Sequence, residues 1–224
     1  MKLNVLTIRF QNRLAPHEVP LFRGAVIAAL DHKLPLFHNH EGDGFRYRYP
    51  LIQYKALGGC AAIVCLAEGT EQVGELFAGG NLDVVMGERS ETLVVDSVRP
   101  MSFNLQLWQQ TFEYGLNRWA PLSVKNYALW RTTESLAERY AMLERVLTGN
   151  ILSMAKGVGL RFDDRVECRI TAMDGEPYWM QMKDVKVLAM NVRFKSNVSL
   201  PPGIGLGKHA ALNCGIVSRV RPPQ

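Results

Sequence analysis

The segment Leu200-Pro-Pro-Gly-Ile-Gly-Leu-Gly-Lys-His-Ala-Ala-Leu-Asn-Cys-Gly215 decides how the C-terminal part of the chain folds. It places three alternating glycines directly before two basic residues: Gly203, Gly205, Gly207, Lys208 and His209. Glycines let a backbone approach a ligand closely and point several amide groups at an anion, to which a lysine adds a charge contact. Taken alone, however, the segment is more typical of a flexible surface turn between two strands.

This segment does not fit the common nucleotide-binding motifs. A Walker loop requires Ser or Thr after its lysine and then a helix, whereas His209 follows Lys208 here. A dinucleotide fingerprint requires an early strand and helix, and this segment lies close to the C-terminus. Both motifs are therefore excluded.

Strands are predicted on either side of the segment, at Val185–Val198 and at Cys214–Val220. In the first of them Met190, Val192 and Phe194 share one apolar face, because side chains alternate along a strand. The opposite face carries a polar, basic strip of Asn191, Arg193, Lys195 and Asn197.

A long helix is the clearest prediction in the second half of the chain. Ser135 and Glu138 have the spacing of a capping box. An apolar stripe at helical spacing follows, consisting of Leu136, Tyr140, Leu143, Leu147, Ile151 and Met154. The aromatic stretch before it, from Trp119 to Trp130, is predicted to be a loop.

The first half of the chain alternates between strand and helix patterns. The predicted elements are a strand at Lys2–Phe10, a helix from Pro20, strands at Phe45–Tyr54 and Cys60–Leu66, a helix at Thr70–Phe77 and further strand within Leu82–Val98. This is the ferredoxin-like order, a fold that carries many functions. A second half with a similar plan begins near Pro100, so we expect domains at residues 1–99 and 100–224.

Composition favours a polyanionic partner. The 224 residues are 47% hydrophobic, which is enough to bury a core, and the formal net charge is +5. The four cysteines form no CxxC pair and lie mostly in apolar runs, which indicates reduced core residues and a cytoplasmic protein. We find no signal peptide and no stretch long enough to span a membrane.

A second group of chemically competent residues surrounds two histidines. His38 and His40 lie in a polar loop just before a strand that carries Arg46 and Arg48. Cleavage of RNA without a metal requires a base for the ribose 2′-hydroxyl and an acid for the leaving 5′-oxygen, and imidazole titrates near neutral pH. A cation such as Lys55 can stabilise charge at phosphorus, and the two arginines can bind phosphates.

Other interpretations of the histidines remain open. His38 and His40 with Glu41 and Asp43 have a composition that suits zinc, but no further ligand cluster appears, so we expect no metal and no cofactor. For any single histidine, a solvated loop residue is the more common situation.

Taken together, the two segments resemble the CRISPR-associated repeat-processing endoribonucleases, which belong to the superfamily of repeat-associated mysterious proteins. The resemblance spans nearly the whole chain. The sequence Arg23-Gly-Ala-Val-Ile-Ala-Ala-Leu30 looks like that family's first helix, His38 or His40 falls at the place of its catalytic histidine, and Gly205 to Gly215 matches its glycine-rich loop.

The sequence departs from the family pattern at two points. Asn213 stands where the loop usually has the first of two paired glycines, and Ile27 stands where some members have a tyrosine on the first helix. A tyrosine would then have to come from elsewhere, for example Tyr54.

The resemblance implies an α+β fold of tandem ferredoxin-like domains with a C-terminal glycine-rich loop. It implies metal-independent cleavage of precursor CRISPR RNA within its repeats, with other subunits of a CRISPR effector complex as further partners. One of His38 and His40 would act as acid or base, Lys55 would stabilise charge, and Tyr54 is a further catalytic candidate. The RNA would be held by Arg46, Arg48, Arg193, Lys195, Gly203, Gly205, Gly207, Lys208 and His209.

Two other functions remain open for this sequence. A non-catalytic RNA-binding subunit of the same superfamily would share the fold without cutting RNA, and the histidine pair argues against it. A ferredoxin-like protein that binds a small anionic ligand at the glycine-rich segment is the second alternative.

Overall fold

The computed structural model describes residues 1–30, 35–38, 40–41, 44–45, 49–78, 82–182 and 185–220. The chain forms two compact units of mixed helix and strand. The N-terminal unit comprises Lys2–Phe103 together with Ala211–Asn213, and the C-terminal unit comprises Asn104–Ala210, the chain from Cys214 onward and Met1.

The N-terminal unit is built on one antiparallel sheet. Its described elements are β1 (Lys2–Arg13), α1 (Val19–Ala29), α2 (Pro35–His38), β2 (His40–Glu41), β3 (Gly44–Phe45), β4 (Ile52–Leu57), β5 (Cys60–Leu66), α3 (Gly69–Gln72), α4 (Glu75–Ala78), β6 (Asp83–Met86), β7 (Arg89–Thr92) and β8 (Val95–Asn104). The main sheet has the order β4-β5-β1-β8, and β2–β3 and β6–β7 are two-stranded hairpins.

The core of this unit lies between the sheet and α1. The ring of Phe22 on α1 contacts Phe10 of β1 and Tyr54 of β4 edge-on, with centroids 6.0 and 5.8 Å apart. Because side chains alternate along a strand, Tyr54 points into this core and its neighbours Gln53 and Lys55 point to the other face of β4. All three side chains are fully buried.

The C-terminal unit contains a second antiparallel sheet. Its elements are β9 (Leu107–Trp119), α5 (Val124–Thr132), α6 (Leu136–Gly157), β10 (Cys168–Met173), β11 (Tyr178–Met182), β12 (Val185–Val198) and β13 (Ile216–Arg219). The strand order is β10-β12-β9-β13, with β11 paired to β12. The glycine-rich segment occupies the connection from β12 to β13.

The stretch from Trp119 to Trp130 is not the predicted loop, because α5 forms within it. Ser123 caps the helix by accepting a hydrogen bond of 3.1 Å from the amide of Asn126. None of the residues of α5 is buried. The helix therefore lacks the apolar periodicity on which the prediction depended.

The long helix α6 is confirmed. The Ser135 side chain accepts a hydrogen bond of 3.3 Å from the amide of Glu138, as the capping spacing predicts. Leu143, Leu147 and Ile151 are buried, but Leu136 is 67% exposed, so the buried stripe begins later than predicted.

The sequence also predicts reduced cysteines and no membrane-spanning segment, and the structure bears on both predictions. All four cysteines are free thiols, and burial raises the pKa of Cys65 to about 12, which keeps this thiol protonated. Within the described ranges, no helix has both the length and the apolar character that crossing a membrane requires.

We expect Ser135→Ala to lower the free energy of unfolding by about 1 kcal/mol, because it removes the side-chain acceptor at the start of α6. Urea denaturation followed by circular dichroism measures this change. Ser153→Ala is the matched control, because Ser153 is exposed on the same helix and lies far from its N-terminus. It should leave stability unchanged or raise it by a few tenths of a kcal/mol, and equal losses in both variants would contradict the capping assignment.

Candidate functional site

The glycine-rich segment is hydrogen-bonded along its length and is not the flexible turn that it resembles in isolation. The amide of Gly203 donates to the carbonyl of Val217 at 2.8 Å, and the amide of Val217 donates to Ile204 at 2.9 Å. The amide of Leu206 donates to Gly215 at 2.8 Å. The amides of Gly203 and Leu206 are therefore committed to the fold and do not point at a ligand.

The glycines of this segment serve its backbone geometry. Gly203, Gly207 and Gly215 have positive φ angles of +85°, +82° and +59°, a region that side chains with a Cβ rarely adopt. A Cβ on Gly207 would also lie 2.6 Å from Oδ1 of Asn150, which accepts a hydrogen bond from Trp119. Gly205 lies in a single antiparallel bridge with Ile216.

Lys208 and His209 follow these glycines on the surface of the C-terminal unit. The Nζ atom of Lys208 is exposed and donates a hydrogen bond of 3.2 Å to the carbonyl of Leu122. His209 is half-buried and has a φ of +56°. Burial, and then the charge of Lys208, lowers the pKa of His209 below its usual value, so its imidazole is neutral at pH 7.

Ala211 and Asn213 complete the open edge of β4 in the N-terminal unit. The amide of Tyr54 donates to the carbonyl of Ala211 at 2.8 Å, and the amide of Ala56 donates to Oδ1 of Asn213 at 3.2 Å. Asn213 is buried and has a φ of +63°. Asparagine tolerates this conformation better than most residues, and it supplies an acceptor that glycine lacks.

Tyr54 and Lys55, the further catalytic candidates, are both fully buried. The hydroxyl of Tyr54 has no hydrogen-bond partner among the described residues. Desolvation raises its pKa well above the usual value, an effect that the nearby charge of Arg23 opposes. In this conformation neither side chain is accessible to RNA.

His38 is the last residue of α2, and His40 is the first residue of β2, where it pairs with Phe45. The backbone thus places the two histidines on either side of a helix-to-strand junction. Arg46 and Arg48 lie outside the described residues. Across the described ranges, no three histidine, cysteine or acidic side chains are grouped closely enough to hold a metal.

The two faces of β12 are as predicted. Val192, Phe194 and Ser196 are buried, while Arg193 and Lys195 are exposed. The basic strip is partly neutralised, because Nε of Arg193 lies 3.0 Å from Oδ1 of Asp174 and Lys195 stands opposite Glu113 of β9.

An aromatic pair on the C-terminal unit was missed by the sequence interpretation. The rings of Tyr127 on α5 and Trp179 on β11 meet edge-on with centroids 5.5 Å apart. Trp179 is nevertheless 55% exposed. The available signal was Ser123, which is a favoured N-cap residue and would have placed Tyr127 on a helix.

Both halves of the chain match models of one protein family. Residues 1–103 match the Cas6b N-terminal domain, and residues 106–220 match the Cas6b C-terminal domain. The chain belongs to the Cas6b family. An uncharacterised protein of Methanocaldococcus jannaschii is 26% identical over 105 residues, which cover 47% of this chain and 69% of the relative.

Solved structures of Cas6 proteins share the fold. A crystal structure of Cas6b superposes with a TM-score of 0.89 at 21% identity, covering 98% of this chain and 100% of that one. The CRISPR RNA processing endoribonuclease Cas6b gives 0.74 at 19% identity with the same coverage. A Cas6 product complex gives 0.57 at 14% identity, covering 99% and 100%.

Gly207→Ala should destabilise the protein more than Gly203→Ala. Both positions have positive φ, so each substitution strains the backbone by about 1–2 kcal/mol. At Gly207 the added Cβ would also overlap the side chain of Asn150. At Gly203 no atom lies within 4 Å of the added Cβ. Thermal unfolding of the two variants measures the difference, and equal losses would contradict the close packing at Gly207.

Asn213→Ala should cost more stability than Asn213→Gly. Both variants lose the acceptor for the amide of Ala56, but only alanine is also strained at positive φ. We expect a loss of about 1–3 kcal/mol for Asn213→Ala, measured by urea denaturation. If Asn213→Gly were as stable as the wild type, the side-chain hydrogen bond would contribute nothing.

Proposed function

We propose that this protein is an endoribonuclease that cleaves precursor CRISPR RNA within its repeats. The observation that carries the proposal is the family membership: the two Cas6b domains follow each other in order and together span nearly the whole chain. One of the solved Cas6b structures with this fold is a CRISPR RNA processing endoribonuclease.

The reaction we propose needs no metal. One of His38 and His40 removes the proton of a ribose 2′-hydroxyl, and the resulting oxygen attacks the adjacent phosphorus. The bond to the 5′-oxygen breaks, and the other histidine supplies the proton that this oxygen takes up. The products are an RNA with a 2′,3′-cyclic phosphate and an RNA with a 5′-hydroxyl. Two histidines that are two residues apart provide both groups.

We propose that Tyr54 and Lys55 have a structural role rather than a catalytic one. Their full burial supports a function in fixing β4, whose edge is bonded to Ala211 and Asn213, rather than contact with RNA. In the same way, the glycines hold Lys208 and His209 in position, and these two residues contact phosphate and base. Arg46, Arg48, Arg193 and Lys195 provide further phosphate contacts.

The proposal also includes the fold of the two units and the location of the protein in the cell. The two units correspond to tandem ferredoxin-like domains, which the shared strand orders support: each sheet has its third strand beside its first and its fourth strand at an edge. In the second unit the glycine-rich segment replaces the second helix. We assign catalysis to residues 1–99, RNA binding by the glycine-rich loop to residues 100–224, and the whole protein to the cytoplasm.

The test is cleavage of repeat RNA by purified protein in EDTA. We expect the wild type to cut at one position and a 2′-deoxy substitution at that position to block cutting, because the nucleophile is absent. The variant with both His38→Ala and His40→Ala should lose cleavage by at least about 100-fold for each lost proton-transfer role, while its affinity for the RNA stays close to that of the wild type.

His17→Ala is the control, because His17 is exposed and lies in the turn before α1. It should cut like the wild type. If the wild type bound the repeat RNA tightly and left it intact, the protein would instead be a non-catalytic RNA-binding subunit. Cleavage that stopped in EDTA and returned with added metal would contradict the metal-free mechanism.

A further inference from the structure

We propose that Trp179 is a stacking platform for an unpaired RNA base, with Lys186 binding the neighbouring phosphate. The proposal rests on the proposed RNA function and adds a defined subsite to it. The site lies on the hairpin of β11 and β12, on the face turned away from the core.

The hairpin presents two different faces. Met180 and Met182 are buried, whereas Trp179 and Gln181 are exposed, as alternation along a strand requires. Trp179 stands opposite Leu188, and Gln181 stands opposite Lys186. Lys186 is therefore the diagonal neighbour of Trp179 across the hairpin, at a separation of about 7–8 Å, and its side chain is exposed on the same face.

Trp179 is held in place without being covered. The residue is 55% exposed, although a large aromatic side chain normally gains free energy by burial. Tyr127 of α5 meets it at 72° with centroids 5.5 Å apart, which restrains the ring and leaves part of it open. A restrained, exposed ring is the arrangement that proteins use to stack on bases of single-stranded RNA.

The surrounding charge favours RNA over other partners. The helix α5 contributes Lys125 and Arg131 and no acidic residue, β11 carries no charge, and β12 contributes Lys186 beside the platform and no acidic residue along its length. The acidic residues Asp174 and Glu176 lie in the turn before β11, where Asp174 is already paired with Arg193. An apolar surface for a protein partner does not require the excess of basic residues on these three elements, whereas the phosphates of RNA do.

Trp108, in the same unit, is a comparable tryptophan whose surroundings do not favour RNA. It is 38% exposed and meets Phe112 edge-on with centroids 5.9 Å apart, so its ring environment resembles that of Trp179. Its groove, however, is also lined by Asp164 and Glu167 beside a single arginine, Arg165. Two carboxylates against one cation disfavour a polyanion, so Trp108 is the matched control.

The test uses fluorescence anisotropy with two labelled RNAs, the repeat RNA and a 20-nucleotide oligouridine, at several salt concentrations. Trp179→Ala should weaken binding of both by about 5-fold to 100-fold, the range for loss of one stacked base. Trp179→Phe should recover most of the affinity, because a phenyl ring still stacks. Trp108→Ala should bind like the wild type, and thermal unfolding confirms that each variant is folded.

The salt dependence separates the two residues of the site. Lys186→Ala should reduce the slope of log affinity against log salt by about one, whereas Trp179→Ala should leave the slope unchanged. If Trp179→Ala bound both RNAs like the wild type, the platform would be disproved, and loss of self-association in that variant would indicate a protein contact instead. If the wild type bound neither RNA, the stacking platform would also be disproved. If the wild type bound the repeat RNA without cleaving it, only the proposed endoribonuclease function would be disproved.

Discussion

The pairing of the glycine-rich segment with β13 is the constraint on which the positions of Lys208 and His209 depend. Gly215 has a positive φ, and its Cα lies so close to the carbonyl of Leu206 that a Cβ has no room there. The amides of Gly203 and Leu206 are used in the same pairing. This rigid connection fixes where Lys208 and His209 stand, because both lie between the residues that are anchored.

The same segment explains how Asn213 is accommodated at a position where the family resemblance led us to expect glycine. An edge strand leaves its outer amides without partners, and β4 is the edge of the N-terminal sheet. Asn213 accepts from one of these amides while it adopts the positive φ that glycine would adopt. The substitution therefore keeps the backbone conformation and adds an acceptor, so it is no evidence against the family assignment.

The parts of the fold that could be predicted are those with a strong periodic signal. The alternation in β12 and the stripe of α6 correctly gave both elements, because one face of each is buried and the other is not. The helix α5 could not be found in this way, since none of its residues is buried. The burial of Tyr54 and Lys55 could not be predicted either. Both faces of β4 are buried, so the alternation of side chains does not show whether either residue reaches solvent.

The ion pair between Arg193 and Asp174 bears on how the basic strip of β12 acts. Both side chains are nearly half exposed, at 47% and 45%. Exposed pairs of this kind contribute about 0–1 kcal/mol, because water screens the attraction and two side chains must be ordered. A phosphate contact also releases condensed counterions from RNA, which adds a favourable free energy that Asp174 cannot supply. For the RNA contact that we propose, Arg193 can therefore exchange its carboxylate for a phosphate at little cost, so its pairing with Asp174 does not argue against that role.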